Sequence, residues 1–312
     1  MSVFRSARRL VLGFALYVSF ATPSLAADAA PKAQAKTTKT DVKAQAKTKG
    51  EGTTKAPRLS VAEIVKRHVS ARGGLEAWRG VQALSLTGKM DAGTGDSVAR
   101  SMRVAQPRRK GRHEVAAAAQ SEDSDRQVQL PFKLAKQRPN KSRLEIEFAG
   151  KTAVQVYDGA NGWKLRPYLN RDAVEPFTPE EAKAQAESDD LADPLIDHAA
   201  RGTKVELAGI EKVEGRDAYK LTLTPKTGAV RHVWVDAATF LDVKVQGPQR
   251  RMDGKLRNVF VYQRDFRAVQ GVKIPFVLET VVDGYPQKHR ILVEKVAVNP
   301  KLGGETFAKP KA

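Results

Sequence analysis

The sequence contains no cysteine. That absence excludes a disulfide framework, thiol catalysis and cysteine metal sites. It also excludes attachment through a lipobox, whose lipidated residue must be Cys. Histidine is scarce too. The five histidines, His68, His113, His198, His232 and His289, show neither HxH nor HExxH spacing, and no Asp or Glu cluster completes a coordination set around them. No GxSxG elbow occurs, and no P-loop or GxGxxG follows a strand-like run. No apolar stretch reaches the ~20 residues that cross a bilayer. The basic charge has no helix-turn-helix, zinc-finger or RNP-like aromatic pattern beside it. These gaps predict no metal, no cofactor, no catalytic group and no nucleic-acid partner.

What is present begins with a leader-like segment. Arg5, Arg8 and Arg9 make a basic n-region, Leu10 to Ala21 is apolar, and Ser24-Leu25-Ala26 supplies small residues at −3 and −1. Cleavage after Ala26 is therefore expected, and the chain is expected to be exported and free in the periplasm. Residues 27–57 are Ala-, Lys-, Thr- and Gln-rich, with no aromatic residue and only Val42 as a large aliphatic. Such a composition cannot bury enough surface to offset ordering entropy, so this stretch reads as a disordered tether. Of the formal net charge of +19, the leader carries +3 and the tether +4, which leaves a basic domain over residues 58–312.

Within that domain the local signals are strong. Ser60-Val61-Ala62-Glu63 has the form of a capping box, and the helix it opens puts Val61, Ile64, Val65, His68 and Val69 near one face until Gly73-Gly74 ends it. Another helical turn over Leu75 to Arg79 carries Trp78 as a core anchor. Strand candidates follow at Leu84 to Met90, Val98 to Ala105, Arg112 to Ala118 and Arg126 to Ala135. In "SRLEIEFAG", Leu144, Ile146 and Phe148 alternate with polar residues, and "KTAVQVYDG" carries Val154 and Val156. "VYDGANGWKLRP" reads as a hairpin corner: Asp158 accepts local amides, and Trp163 opens the next strand. Thr178-Pro179-Glu180-Glu181 starts another helix. "DDLADPLIDHAARG" predicts a shorter one, with Leu191, Leu195 and Ile196 as its apolar stripe. From Thr203 onward two blocks of four strands each are expected, giving roughly ten to twelve strands and about three helices in all.

The charged groups read mainly as surface. Asp189, Asp190, Asp193 and Asp197 fit a solvated face better than a facing carboxylate pair. His198 fits a favourable charge near a helix C-terminus. "QPRRKGRHE", which concentrates Arg108, Arg109, Lys110, Arg112 and His113, is either an exposed hairpin loop or a docking patch for lipid headgroups or an acidic partner.

Several stretches, in this order, resemble the periplasmic lipoprotein carriers of the LolA/LolB-like, outer-membrane lipoprotein-sorting family. They are "IVKRHVSARGGLEAWRGVQALSLTGKM", "RPNKSRLEIEFAGKTAVQVYDGANGWKLRP", "LADPLIDHAARGTKVELAGIEKVEGRDAYKLTLT", "VWVDAATFLDVKV", "GVKIPF" and "VNPKLGGETFAKP". The resemblance implies a mainly β fold: a strongly curved, unclosed antiparallel β-barrel with a helical lid over an apolar cavity for acyl chains. On that reading the lining candidates are Leu144, Ile146, Phe148, Val154, Val156, Trp163, Tyr219, Leu221 and Leu223, each of which can instead belong to an ordinary core. Ile64, Val65, Leu195 and Ile196 would form the lid. The partners expected are acylated lipoproteins or lipids, with transient contact to a membrane-bound donor or acceptor. The chain departs from the family in its length, with added strands between Arg112 and Ala135, and no residue here is matched to the family's lid-latching arginine. A sensor or scaffold of the same fold, binding a protein partner, is the alternative; a hydrolase with a scattered site is a third.

Overall fold

A computed structural model describes residues 59–94, 127–167, 171–187 and 191–311. The leader, the tether, the strands expected at 98–105 and 112–118, the basic loop at 106–114, Asp189 and Asp190 lie outside these residues.

Ser60 caps helix α1 (Val61–Ala71) by accepting the Glu63 amide at 3.2 Å, while the Glu63 carboxylate takes Arg67 Nε at 2.6 Å. The predicted stripe is the buried one, with Ile64, Val65 and His68 inside. Gly73 stops the helix for two reasons. Its φ is +110°, and a Cβ there would lie 2.2 Å from the Gly271 carbonyl oxygen, so only glycine lets the chain pass this close to a neighbouring turn. α2 (Leu75–Arg79) follows, and the Trp78 indole N–H donates to the Arg72 carbonyl at 2.9 Å.

Among the described residues thirteen strands then form one antiparallel sheet. The first group is β1 (Ala83–Thr94), β2 (Gln127–Gln137), β3 (Lys141–Phe148), β4 (Lys151–Tyr157), β5 (Gly162–Arg166) and β6 (Arg171–Pro176). After α3 (Pro179–Glu187) come β7 (Lys204–Val213), β8 (Arg216–Thr224), β9 (Arg231–Asp236), β10 (Asp242–Met252), β11 (Lys255–Val269), β12 (Val272–Val282) and β13 (Lys288–Val298). Each strand pairs with its sequence neighbours, except that β1 pairs with β13 where β6 and β7 might have met. The sheet is therefore open and curved, with β6 and β7 as its edges. A 3-10 turn at Gly304–Phe307 ends the chain's regular structure.

Two expectations are corrected here. The second strand block holds β11 to β13, three strands rather than four, because β11 runs unbroken for 15 residues. The short helix expected around Leu191 to Arg201 is a run of turns. Asp193 Oδ1 takes the Leu195 amide at 2.6 Å, and Arg201 donates to the carbonyls of Asp193, Pro194 and Ile196, so side chains satisfy the backbone groups that a helix would have paired. The Thr178 signal does give a helix, with a complete reciprocal box: Thr178 N–H to Glu181 at 2.8 Å and Glu181 N–H to Thr178 at 3.2 Å. The same Glu181 carboxylate receives the buried Lys164 ammonium of β5 at 2.6 Å, tying α3 to the sheet.

Candidate functional site: the covered inner face

Register fixes which side chains share a face. Leu86 pairs with Leu134, which pairs with Leu144, and Ile146 pairs with both Phe132 and Ala153. All are buried on the inner face, in one apolar cluster with Trp78, Ile196 and Ile274. Farther along the same face Tyr219, Leu221, Leu223, Val233 and Val245 form a second cluster with Ile64, Val65 and Leu195. Val69 of α1 touches both clusters. A broad apolar inner face is thus covered by α1, α2 and the turns of residues 191–202.

Val154, Val156 and Trp163 do not belong to that face. Val154 and Val156 of β4 pair with Glu145 and Arg143 of β3, in alternation with Leu144 and Ile146, and Trp163 of β5 pairs with Val156, so all three point outward. There they pack with Leu302 and Phe307 of the C-terminal segment. Of the nine lining candidates, Leu144, Ile146, Tyr219, Leu221 and Leu223 lie in the two inner clusters, and Phe148 sits half-buried at the end of β3 in neither. The four lid candidates divide as well: Ile64, Val65 and Leu195 meet the second cluster, and Ile196 meets the first.

Polar contacts fasten the cover to the sheet. His68 of α1 places Nε2 2.6 Å from Asp193 Oδ2 and Nδ1 2.9 Å from the Phe240 carbonyl oxygen. Arg72 donates to Asp242 at 2.7 Å and stands 3.9 Å from Asp193. All four side chains are buried. A neutral imidazole has one N–H, yet both His68 nitrogens face acceptors, so the imidazolium satisfies them best. Burial favours the neutral ring, but the charge and hydrogen bond of Asp193 outweigh it and raise the His68 pKa. Burial likewise works to raise the Asp193 carboxyl, and His68 with Arg72 holds it well below the usual range instead. Asp242 is raised, chiefly by burial and against the pull of Arg72. Its Oδ2 meets no hydrogen-bond partner among the described residues.

His68, Asp193 and Asp242 bring their ligand atoms within 4.8 Å of one another, a grouping invisible to short-range spacing because the three lie far apart in the chain. The cation they meet is Arg72, and both imidazole nitrogens are engaged, so the set reads as an ion-paired clasp. Asp193, expected on a solvated face, is a buried anchor. His198, expected at a helix end, bonds the Thr203 carbonyl at 3.1 Å within the turns. Asp197 makes a second clasp, receiving Arg79 Nε at 3.1 Å and Nη2 at 3.0 Å. Asp158 keeps its bland role, accepting the amides of Ala160 and Asn161.

Beside the second clasp opens a pocket of about 750 Å³. The end of α2, the β2–β3 turn, residues 192–203 and the facing ends of β8 and β9 line it. Among the described residues that line it are Arg79, Arg138, Arg201, Arg231 and Asp197.

Three solved structures are similar to the chain along most of its length, each at low identity. A LolA superfamily protein from Nitrosomonas europaea is similar over 81% of this chain and 99% of its own, at 12% identity and a TM-score of 0.47. An outer membrane lipoprotein-sorting protein domain from Vibrio parahaemolyticus is similar over 79% and 95%, at 11% identity and a TM-score of 0.45. A DUF1329 family protein from Desulfovibrio piger is similar over 79% and 96%, at 14% identity and a TM-score of 0.48. No protein-family model and no curated protein matches the chain. At such identities the likeness concerns the path of the backbone and nothing of what these proteins bind. Among the described residues no helix is long and apolar enough to cross a membrane.

Proposed function

We propose that this LolA-like chain is an exported, non-enzymatic carrier that takes acyl chains of lipids or lipoproteins onto its inner face, in the periplasm, for transfer toward an outer membrane. One observation carries the reading. A broad apolar face is covered by short pieces, α1 with α2 and a run of turns, which discrete polar clasps fasten down. Tyr219, Leu221 and Val233 are fully buried under that cover, so a guest reaches them only when the cover lifts. At about 0.8 kcal/mol per buried CH₂, a long acyl chain needs roughly 10 kcal/mol of apolar shelter to leave a membrane. The residues beneath the cover supply such a surface, and a hinged cover lets the carrier release what it binds. The leader-like residues 1–26 support export, and the carrier needs a membrane-bound donor and acceptor at the ends of its route.

Ile146→Glu tests the reading. A carboxylate on the inner face stays hydrated when the cover is open, but a hydrocarbon guest strips that water at high cost. Native mass spectrometry of wild-type protein taken from its own periplasm is expected to show bound lipid or acylated peptide, and the folded variant is expected to show none. Lipid retained unchanged by the folded variant takes Ile146 out of the lining. Unfolding of the variant, or a wild type empty of lipid, favours an ordinary core.

A further inference from the structure

We propose that the rim of the sheet carrying the β10–β11 hairpin docks this chain on an anionic lipid bilayer. Strand pairing fixes which turns share that rim. β9 opens at Arg231 opposite Leu223, β10 leaves β9 after Val245↔Val233, and β11 leaves β12 at Val259↔Val282. The β8–β9, β10–β11 and β12–β13 turns therefore lie at one end of the strands. The β10–β11 hairpin overhangs its neighbours there. Among the described residues Arg250↔Arg257, Arg251↔Leu256 and Met252↔Lys255 pair only with each other, as a two-stranded ribbon. Such a ribbon is marginal by itself. Asp253 and Gly254, at φ of +50° and +73°, make the tight turn that suits strand twist, and the Tyr285 hydroxyl of the next turn braces it by donating to Asp253.

The overhang sets an exposed aliphatic among cations. Leu256 and Val230 are the two most exposed large hydrophobics among the described residues, at 57% and 56%, and both lie on this rim, Leu256 on the overhang and Val230 on the β8–β9 turn. Residues 249–258 carry Arg250, Arg251, Lys255 and Arg257 against Asp253 alone. Arg251 and Lys255 are exposed, and neither meets a carboxylate among the described residues; Arg251 donates instead to the neutral Gly254 carbonyl at 2.9 Å. At a bilayer the stems of such side chains lie along the acyl boundary while their charges stay with lipid phosphates, and an aliphatic side chain between them enters the interface. A specific protein interface takes about 800 Å² from each partner, whereas single aliphatics on narrow turns offer only points of contact. A bilayer accepts points without a fixed register. The docking stands apart from the carrier reading, which concerns the inner face.

Flotation of the full mature chain with vesicles of phosphatidylglycerol, or of phosphatidylcholine alone, tests the rim. Three variants accompany it: Arg251→Gln/Lys255→Gln, Leu256→Ser, and a tether control, Lys36→Gln/Lys39→Gln, which loses the same charge elsewhere. The altered rim residues are exposed, so urea midpoints are expected to match wild type. Wild type is expected to float with phosphatidylglycerol and not with phosphatidylcholine, less so as salt rises. The basic pair is expected to weaken that binding about tenfold or more, the scale of two basic side chains at an anionic surface, with the control near wild type. Leu256→Ser is expected to weaken it severalfold at unchanged charge. Absence of flotation, which would leave the rim to an acidic protein partner, overturns the proposal. Equal flotation with both lipids, or equal weakening by the basic pair and the tether control, overturns it too. Lipid co-purification on the same variants reports separately on the carrier: a chain that floats but carries no lipid keeps the dock and loses that function, and a chain that carries lipid but does not float does the reverse.

Discussion

The two faces of the one sheet bury apolar side chains in different ways. The inner face is apolar from β3 to β8, and helices and turns of this chain cover it. The outer face is apolar in two patches. One, Val154, Val156 and Trp163, is sealed by Leu302 and Phe307 of the C-terminal segment. The other, Trp234 with Phe260 and Tyr262, lies beneath lysine side chains. The inner cover is held by a buried ion cluster, His68 and Arg72 with Asp193 and Asp242. A cover sealed by packing alone offers no group that titrates, whereas a clasp of ions leaves a place where a single proton acts.

The largest expected effect comes from breaking the clasp. Asp193→Ala leaves His68 and Arg72 buried with less countercharge, and a loss of about 3–5 kcal/mol is expected in urea unfolding, as for other broken buried pairs. A loss below about 1 kcal/mol would mean that the clasp is dispensable. The clasp also predicts a pH signature. The His68 pKa is raised in the fold, so its contribution is fully present below the unfolded value near 6.5 and is lost as pH rises through the folded value. Asp193, lowered, contributes above its unfolded value and loses that contribution as pH falls through its folded value. Asp242, raised, adds to the decline with rising pH. His289 is half-buried, its pKa is lowered by desolvation, and it acts in the opposite sense to His68. The difference between wild type and His68→Gln therefore isolates the clasp. That difference should shrink from pH 6 to pH 9, and a flat difference curve would remove the imidazolium from the account.

Next in size is a paired truncation, one on each face. Leu221, fully buried under α1, should cost about 3 kcal/mol as Leu221→Ala, since its neighbours cannot all collapse into the void. Phe307→Ala removes more volume, yet the C-terminal segment can peel away locally, so its global cost should be smaller, about 1–2 kcal/mol. Its clearest mark should be protease cutting between Asn299 and Ala312 while the remaining sheet persists. Equal losses with no new cutting would make the outer seal part of the core.

How far the sequence discloses this arrangement depends on distance along the chain. Both capped helix starts are legible, because Ser60 with Glu63 and Thr178 with Glu181 act within one turn. The β3–β4 hairpin is legible for the same reason, Ala149 and Gly150 both taking positive φ between two alternating strands. Val154 and Val156 mislead because alternation assumes one wet face, whereas β4 buries Ala153 and Tyr157 as well as both valines. The cover for its outer side arrives from Phe307, more than a hundred residues on. The clasp is hidden likewise, since His68, Asp193 and Asp242 each look ordinary until the fold brings them together. The turns at 191–202 carry a helix-like apolar spacing, and the Asp193 and Arg201 side chains, which the pattern treats as surface, decide against the helix.

The smallest expected effect tests the second outer patch. Lys244 places Nζ 4.4 Å from the Trp234 ring centre and 4.2 Å from that of Phe260, while the Trp234 indole N–H donates to Glu211 at 2.7 Å. Burial lowers the Lys244 pKa, with Glu211 and Asp283 working against it, so the ammonium gives up hydration to sit over the rings. The cation–π gain and the desolvation penalty then nearly offset. Lys244→Met, which keeps the stem and drops the charge, should change unfolding free energy by less than about 1 kcal/mol. A loss near that of Leu221→Ala would show that the ammonium seals this patch as firmly as the helices seal the inner face. The contrast between ion-held and packing-held covers would then extend to both sides of the sheet.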